Sequence, residues 1–175
     1  MHAPNKSLST IKQCINHVAA NYLIFKRYYM EKFEFKNGIY EGEATNNTPN
    51  GKGRWTLEKD YGYYEGYFVN GVLHGKGKLY FKDVGTFEGD WVDGAFTGEG
   101  KVVYPSGVVE EGTFVNMELI RGKRSCFGGE VYEGEFLNGK FHGKGKLIRC
   151  DGMVLDGTWE NGKFVNIETP YRWEQ

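Results

Sequence analysis

Residues 64–77 read YEGYFVNGVLHGKG, and this stretch decides the fold because the chain keeps returning to it. It recurs at residues 132–145 as YEGEFLNGKFHGKG, with ten of the fourteen positions unchanged. Looser copies begin at four other positions: Tyr40, Phe87, Glu110 and Leu155. The six units follow one another at intervals of 22 to 24 residues. A period of this length is typical of arrays in which each unit packs against its neighbours.

Each unit is predicted to form a β-hairpin. In the second unit, residues 64–69 alternate with a period of two, Asn70-Gly71 supplies a turn, and residues 75–81 return as the second strand. A unit of about 23 residues holds two strands and their turns, which leaves no room for a helix. The array, residues 37–166, is therefore expected to be mainly β, an elongated single-layer antiparallel sheet of stacked hairpins.

The alternation sorts the side chains onto two faces, of which one is aromatic and glycine-rich. Residues such as Tyr64 stand beside glycines such as Gly77, and a missing side chain leaves room for a ring to lie flat on the backbone. A single-layer sheet leaves this face uncovered, so it is predicted to form a groove that binds a partner. Eight residues are predicted to line that groove: Tyr64, Phe68, Phe87, Trp91, Phe114, Tyr132, Phe136 and Trp159.

Charged residues occupy the opposite face. Glu65 is expected to pair across strands with Lys76 or Lys78, and Glu133 with Lys144 or Lys146, each pair contributing about 0.2–1 kcal/mol. Two interpretations stay open, a solvated and neutralised face or a basic strip that binds phosphoinositide headgroups. The predicted headgroup contacts are Lys52, Lys76, Lys78, Lys144 and Lys146.

An amphipathic helix is predicted before the array, over about residues 8–30. Its apolar residues are spaced alternately three and four apart, which gives one stripe along about six turns: Leu8, Ile11, Ile15, Val18, Tyr22, Phe25 and Tyr29. The helix belongs to an N-terminal segment, residues 1–36, and residues 167–175 form a C-terminal tail. The helix is expected to dock on its own array, to meet a partner helix, or to lie on a membrane. A mitochondrial presequence is a further interpretation.

The overall charge of −1 predicts no nucleic-acid partner. This charge is unevenly distributed. Residues 1–36 hold six basic and two acidic residues, a net charge of +4, and the remaining residues hold sixteen basic and twenty-one acidic residues, a net charge of −5. Three cysteines without a short spacing favour a reducing compartment over a disulfide frame or a zinc site. The sequence contains no apolar run near the roughly 20 residues that cross a bilayer.

The sequence predicts no catalytic site. His74 and His142 recur because the unit recurs, and no third group converges on either, so a structural role beside the turn is expected. Gly75-Lys76-Gly77 lies within a predicted strand and lacks the spacing and the following helix of a phosphate-binding loop. No metal site or cofactor is expected.

The units resemble the MORN (membrane occupation and recognition nexus) repeat, whose pattern is close to Y-E-G-x-[FW]-x-[ND]-G-x-x-H-G-x-G. Residues 64–77 and 132–145 match this pattern throughout, and the resemblance extends over residues 40–166. It implies hairpins stacked in one sheet and a scaffolding role in cytoskeletal, ciliary or membrane-linked assemblies. The fourth unit departs most, with Glu110 for the tyrosine and Met117 for the turn glycine, so a kink, bulge or binding surface is expected at residues 116–130.

We therefore expect a cytoplasmic, non-enzymatic scaffold or adaptor, associated with the cytoskeleton or a membrane. Its aromatic groove is expected to bind an amphipathic helix, either its own N-terminal helix or one from another chain. The alternative is a peripheral phosphoinositide-binding module that uses the N-terminal helix and the lysines. The sequence does not identify the partner, the organelle or the oligomeric state.

Overall fold

The computed structural model describes residues 30–167, which form one open antiparallel sheet. Its thirteen strands are hydrogen-bonded in the order in which they occur along the chain. The strands are β1 Met30–Phe35, β2 Gly38–Thr45, β3 Thr48–Leu57, β4 Gly62–Val69, β5 Val72–Phe81, β6 Gly85–Val92, β7 Ala95–Val103, β8 Val109–Val115, β9 Glu118–Ser125, β10 Val131–Leu137, β11 Lys140–Ile148, β12 Val154–Glu160 and β13 Lys163–Ile167. A short 3₁₀ helix, Glu58–Asp60, connects β3 to β4. The predicted sheet of successive hairpins is confirmed.

The sheet begins one strand earlier than the sequence predicted. Residues 30–36 were assigned to the N-terminal segment, whereas β1 pairs with β2 and places Phe33 opposite Tyr40. The reason is that Phe33 and Phe35 alternate with polar residues and pack on the Tyr40 ring, with centroids 5.3 and 6.3 Å away. The helix was predicted over about residues 8–30; Met30 is the first residue of β1, and residues 8–29 lie outside the described residues.

A row of glycines runs across the sheet and sets its packing. One glycine from each strand β2 to β12 lies directly opposite the glycine of the next strand. The row consists of Gly42, Gly53, Gly66, Gly77, Gly89, Gly100, Gly112, Gly122, Gly134, Gly145 and Gly157. Aromatic rings lie over it, so that a Cβ on Gly77 would collide with the Tyr64 ring and one on Gly145 with the Tyr132 ring. The glycines therefore make room for rings, as the sequence predicted.

Polar atoms of the aromatic residues bind the backbone around this row. The hydroxyl of Tyr64 donates to the carbonyl of Tyr67 at 3.2 Å, three residues along its own strand. The indole N–H of Trp91 donates to the carbonyl of Gly77 at 3.2 Å, and that of Trp159 to Gly145 at 2.9 Å. Each of these indoles reaches the unit before its own, so the rings connect neighbouring hairpins as well as filling the core.

The hairpins are bulged beside the glycine row. In the second unit Gly66 faces Gly77, but the next pair is Tyr67 with His74, so that β5 carries two extra residues there. Gly75 takes a φ of 64° in this bulge, a left-handed conformation that favours glycine. The fourth unit has a smaller bulge because it is one residue shorter, and Gly122 still takes its place in the row. The fourth unit therefore keeps its glycine in the row although Met117 replaces its turn glycine.

The predicted turns between paired strands are confirmed. Asn70-Gly71 has φ angles of 48° and 77°, and Asn138-Gly139 has 49° and 72°, as a two-residue turn with two left-handed residues requires. The fourth unit uses Asn116-Met117, and Met117 adopts a φ of 71° without being a glycine. We call the edge that carries these turns the hairpin edge and the opposite edge, with the connections between units, the loop edge.

The glycine row predicts an unequal response to mutation. Gly77→Val and Gly145→Val should each lower the free energy of unfolding by roughly 1–3 kcal/mol, because the new side chain must displace a tyrosine ring such as that of Tyr64. Lys76→Ala and Lys144→Ala, on the opposite face, serve as controls and should cost less. Urea unfolding followed by circular dichroism measures the difference. Equal losses in all four variants would show that the glycines make no room for rings.

Buried tyrosines predict a loss of stability at alkaline pH. Burial raises the pKa of four tyrosines to about 12: Tyr40, Tyr64, Tyr104 and Tyr132. The unfolded value is about 10, so the neutral form is favoured in the folded protein. This stability is fully present below about pH 10 and is lost as the pH rises towards 12. Absorbance at 295 nm should show a late ionisation step that coincides with loss of the circular dichroism signal and that disappears in concentrated urea. A single tyrosine ionisation step near pH 10, with the circular dichroism signal of the sheet unchanged, would contradict this prediction.

Candidate binding surfaces

The residues predicted to line an aromatic groove are brought together, but as the core of the array. They are Tyr64, Phe68, Phe87, Trp91, Phe114, Tyr132, Phe136 and Trp159. Their exposed fractions range from 0 to 5%. The Tyr64 ring packs edge-to-face on Phe68 and Trp91, with centroids 5.1 and 5.5 Å away. These eight side chains do not form an open surface, and their role in binding a partner stays a prediction.

Less buried apolar residues pack against this core on the same face. They are Phe33, Phe35, Ala44, Trp55, Leu73, Leu79, Tyr104, Phe141, Leu155 and Phe164. The Phe141 ring, for example, stacks on Tyr132 with centroids 3.8 Å apart and an interplanar angle of 6°. A molecule that approached the aromatic face would meet these outer residues before it met the buried rings.

The opposite face carries a row of charges whose sign alternates from strand to strand. Basic residues lie on the odd-numbered strands β1 to β11 and acidic residues on the even-numbered strands β2 to β12, each directly opposite the next. The row consists of Lys32, Glu41, Arg54, Glu65, Lys78, Glu88, Lys101, Glu111, Lys123, Glu133, Lys146 and Asp156. We call it the charge ladder. Its six basic and six acidic residues leave no net charge.

Ion pairs connect the ladder across strands. Arg54 and Glu65 approach to 3.4 Å, Lys78 and Glu88 to 3.2 Å, and Lys101 and Glu111 to 3.8 Å. These side chains are about half exposed, so each pair contributes at most about 1 kcal/mol. The register places Glu65 opposite Lys78 rather than Lys76. It likewise places Glu133 opposite Lys146 rather than Lys144.

The lysines predicted to contact lipid headgroups all lie on this face, among acidic residues. Lys78 and Lys146 belong to the charge ladder, where Lys146 lies 3.7 Å from Asp156. Lys76 pairs with Asp90 at 2.8 Å, and Lys144 lies opposite Thr158. The backbone N–H of Lys52 donates to the Glu43 carboxylate at 3.1 Å. The neutral ladder weakens any general attraction to anionic lipid, and headgroup binding stays a prediction.

A row without charged residues flanks the ladder on the side of the loop edge. It occupies one position on each strand β2 to β12, all in direct register: Ile39, Thr56, Tyr63, Tyr80, Thr86, Val103, Val109, Ser125, Val131, Ile148 and Val154. We call it the loop-side row. Tyr80 and Val103 are each 40% exposed, and Val154 is 48% exposed. Apolar surface of this extent, left in water, is typical of an interaction site.

A second row of exposed residues lies beyond the ladder near the hairpin edge and is apolar over β4 to β8. Its apolar members are Val69, Val72, Val92, Val115 and Leu137, while Glu118 and Lys140 lie opposite the last two. We call it the hairpin-side row. An open groove of about 1130 Å³ lies on this face over β3 to β8, lined by ladder residues from Glu65 to Glu111 and by the glycine backbone between them. The charged face therefore has a polar groove between two apolar rims, which are the loop-side row and the hairpin-side row.

Sequence reasoning missed both rows because it treated every residue of this face as part of a solvated surface. The signal was present, since an uncharged residue stands immediately before the first position of every unit. These residues are Ile39, Tyr63, Thr86, Val109, Val131 and Val154. The register that joins them into one row depends on the bulges, which the repeat pattern does not reveal.

The two recurring histidines stay apart. His74 is on β5 and His142 on β11, six strands away, which corresponds to about 29 Å at the usual strand spacing. Nδ1 of His74 lies 3.7 Å from an Asp93 carboxylate oxygen at the turn. Within residues 30–167, no group of three or more His, Cys, Asp or Glu side chains is placed to hold a metal ion. The same part of the chain contains no helix long and apolar enough to cross a membrane.

The fourth unit replaces the usual ring with a buried ion pair. Glu110 takes the place of the repeat tyrosine and is 5% exposed. It accepts a hydrogen bond from Nε of Arg124 at 2.7 Å and forms an ion pair with Nη2 of the same residue at 2.6 Å. The other carboxylate oxygen of Glu110 accepts a hydrogen bond from the Tyr104 hydroxyl at 2.9 Å. Arg124 also donates to the carbonyl of Gly139 at 2.8 Å and lies over the Phe136 ring. The fourth unit therefore departs from the repeat through a buried polar cluster that joins the third, fourth and fifth units. The bulge that lies within residues 116–130 is smaller than that of the second unit, and a binding surface there stays a prediction.

Comparison with known proteins agrees with the periodicity. The family model of the MORN repeat matches the chain four times, at residues 40–59, 64–83, 87–109 and 132–154. The units that it does not match are the fourth, with Glu110 in the tyrosine position, and the short sixth. No curated protein matches the chain at a significant level.

The buried pair predicts that removing one partner is worse than replacing both. Arg124→Leu should lower the free energy of unfolding by about 3–5 kcal/mol, because it leaves the Glu110 carboxylate buried without its cation. The double variant Glu110→Tyr, Arg124→Leu restores the combination that Tyr64 and Leu79 form in the second unit, and should recover most of that loss. Urea unfolding measures both variants. A double variant no more stable than Arg124→Leu would show that the fourth unit does not accept the ordinary pair.

Proposed function

Since the chain belongs to the MORN repeat family, we propose that it is a non-enzymatic interaction scaffold that binds a protein through its charged face. The observation that carries this proposal is the distribution of exposed apolar side chains. On the strands, the large apolar residues with exposed fractions of 38–50% accompany the charge ladder, as Tyr67, Val92, Val103 and Ile148 illustrate. The aromatic face retains its large rings as a core.

The composition of this face suits a protein rather than a bilayer. Protein interfaces combine apolar and aromatic contacts with polar groups that remain partly hydrated. The two apolar rims supply the apolar and aromatic contacts, and the groove between them supplies the hydrated polar groups. A membrane surface would favour a cluster of unpaired cations, whereas the cations here alternate with six carboxylates. The phosphoinositide function therefore ranks second, without an observation that favours it.

A scaffold of this kind needs no reactive site. The two histidines lie on separate strands, and the ladder carboxylates are paired with cations rather than with one another. General acid–base or nucleophilic catalysis requires groups that converge on one position. We therefore propose a structural role in an assembly. A cytoplasmic location associated with the cytoskeleton or a membrane is part of this proposal and rests on the family resemblance alone.

A helix is proposed to bind the aromatic face rather than the charged face. A helix of about 30 residues is about 45 Å long, enough to cross ten strands. It would contact outer residues such as Leu79 and Phe141. The chain's own N-terminal segment, for which the sequence predicts an amphipathic helix over about residues 8–30, is the preferred occupant.

Site-specific photo-crosslinking tests which face binds. A photoreactive phenylalanine analogue at Val103, in the loop-side row, should form adducts with another polypeptide when the full chain is irradiated in its native cells. The same group at Leu79, on the aromatic face, and at Lys59, in a connection between units, serves as a control and should form few. Adducts that arise only from Leu79, or only with lipid, would contradict binding through the charged face.

A further inference from the structure

We propose that the protein bound by the charged face is a second copy of this chain, related by a two-fold axis that runs parallel to the strands between β6 and β7. The inference rests on the proposed function, because it names the partner of that same face. The axis would exchange β6 with β7, β5 with β8, and each further strand with its counterpart as far as β1 with β12. Both copies would present their charged faces to each other.

The charge ladder is self-complementary under this symmetry. Its cations lie on odd-numbered strands and its anions on even-numbered strands, and an axis between two neighbouring strands exchanges odd with even. Lys101 on β7 then faces Glu88 of the second copy, and Lys78 on β5 faces Glu111 of the second copy. All twelve ladder positions meet a residue of opposite sign. An axis through the middle of a strand would instead place like charges together.

The same axis brings both apolar rims together. A rotation about an axis parallel to the strands keeps every row at its own height, so the loop-side row meets itself and so does the hairpin-side row. Near the axis, Val103 faces Thr86 of the second copy and Tyr80 faces Val109 of the second copy. On the other rim, Val92 faces Ala95 and Val72 faces Val115, while farther from the axis Val69 faces Glu118 of the second copy.

The arrangement suits the energetics of sheet packing. Two twisted sheets that pack face to face keep their strands within about 30° of each other, so contact is densest near the axis and decreases outwards. The apolar rims are buried, while the ladder charges meet across the groove and keep water. This avoids the large desolvation cost of a fully buried ion pair.

One pair of like charges opposes the symmetry, and its partners reduce the cost. Asp90 on β6 would face Glu99 of the second copy, which brings two carboxylates together. In each chain, however, Lys76 lies 2.8 Å from the Asp90 carboxylate, and Glu99 accepts a hydrogen bond from the Thr113 hydroxyl. Glu99 also lines the groove, where water screens its charge.

The first test is the mass of the full chain in solution. Sedimentation equilibrium should give a dimer of the 20.0 kDa chain. Val103→Lys should weaken the dimer at least about tenfold, because it places a charge in the apolar rim beside the axis. Val165→Lys is the matched control, since this exposed valine lies on β13, outside the exchanged strands, and it should leave the dimer unchanged. Thermal melting confirms that both variants remain folded.

The second test is a charge swap that separates contacts between copies from contacts within one. Lys78→Glu faces Glu111 of the second copy and should weaken the dimer. Adding Glu111→Lys restores opposite charges across the axis only, because within each chain the new glutamate lies between Glu65 and Glu88 and the new lysine between Lys101 and Lys123. Recovery of the dimer in the double variant therefore supports the interface, and a double variant as weak as Lys78→Glu or weaker overturns it.

The other possible results of these experiments separate the dimer from the proposed function. A wild-type chain that stays monomeric at the highest concentration reached overturns the inference, as does a dimer that is indifferent to both Val103→Lys and the charge swap. If the chain is monomeric but Val103 still crosslinks to another polypeptide, the proposed function stands and only the identity of its partner is wrong. If Val103 forms no adduct of any kind, both fail.

Discussion

The close approach of an aromatic ring to a glycine backbone is the constraint on which this structure depends. A single-layer sheet has no second layer to bury its side chains, so it must build its core from the sheet and the rings alone. The row from Gly42 to Gly157 provides the floor, and rings such as Tyr64 and Tyr132 lie on it. Hydroxyl and indole groups then bind backbone carbonyls beside the row, which satisfies the polar end of each large side chain.

This constraint also explains why the two faces differ so much. The rings need most of the apolar content of each unit, and they hide it within the aromatic face. What remains for the other face is mostly short, charged or β-branched side chains, with a few larger ones such as Tyr63 and Tyr80. Because every strand has the same register relative to the glycines, like positions join into continuous rows. The charge ladder and the two apolar rows are therefore consequences of one register, repeated from strand to strand.

The sequence was sufficient to predict the hairpins, the turns and the role of the glycines, because each follows from local pattern. The beginning of β1 was missed because residues 30–36 stand outside the repeat phrase, although Phe33 and Phe35 alternate correctly. The predicted binding residues were the right set to group together, yet the sequence gives no measure of how deeply a ring such as Phe114 is covered. The loop-side row was missed for a different reason. Its members are joined only by a register that depends on bulges at glycines such as Gly75.

The arithmetic of the charge ladder bears on how an array of this kind changes length during evolution. Each complete unit contributes one acidic and one basic strand, so the gain or loss of a whole unit through unequal recombination leaves the alternation of sign intact. The near-identical stretches at 64–77 and 132–145 are the natural sites for such an exchange. An exchange between them would delete the fourth unit together with both Glu110 and Arg124, and would leave neither charge stranded in the core. The ion pair lies within one unit, so it can be inherited or lost only as a whole.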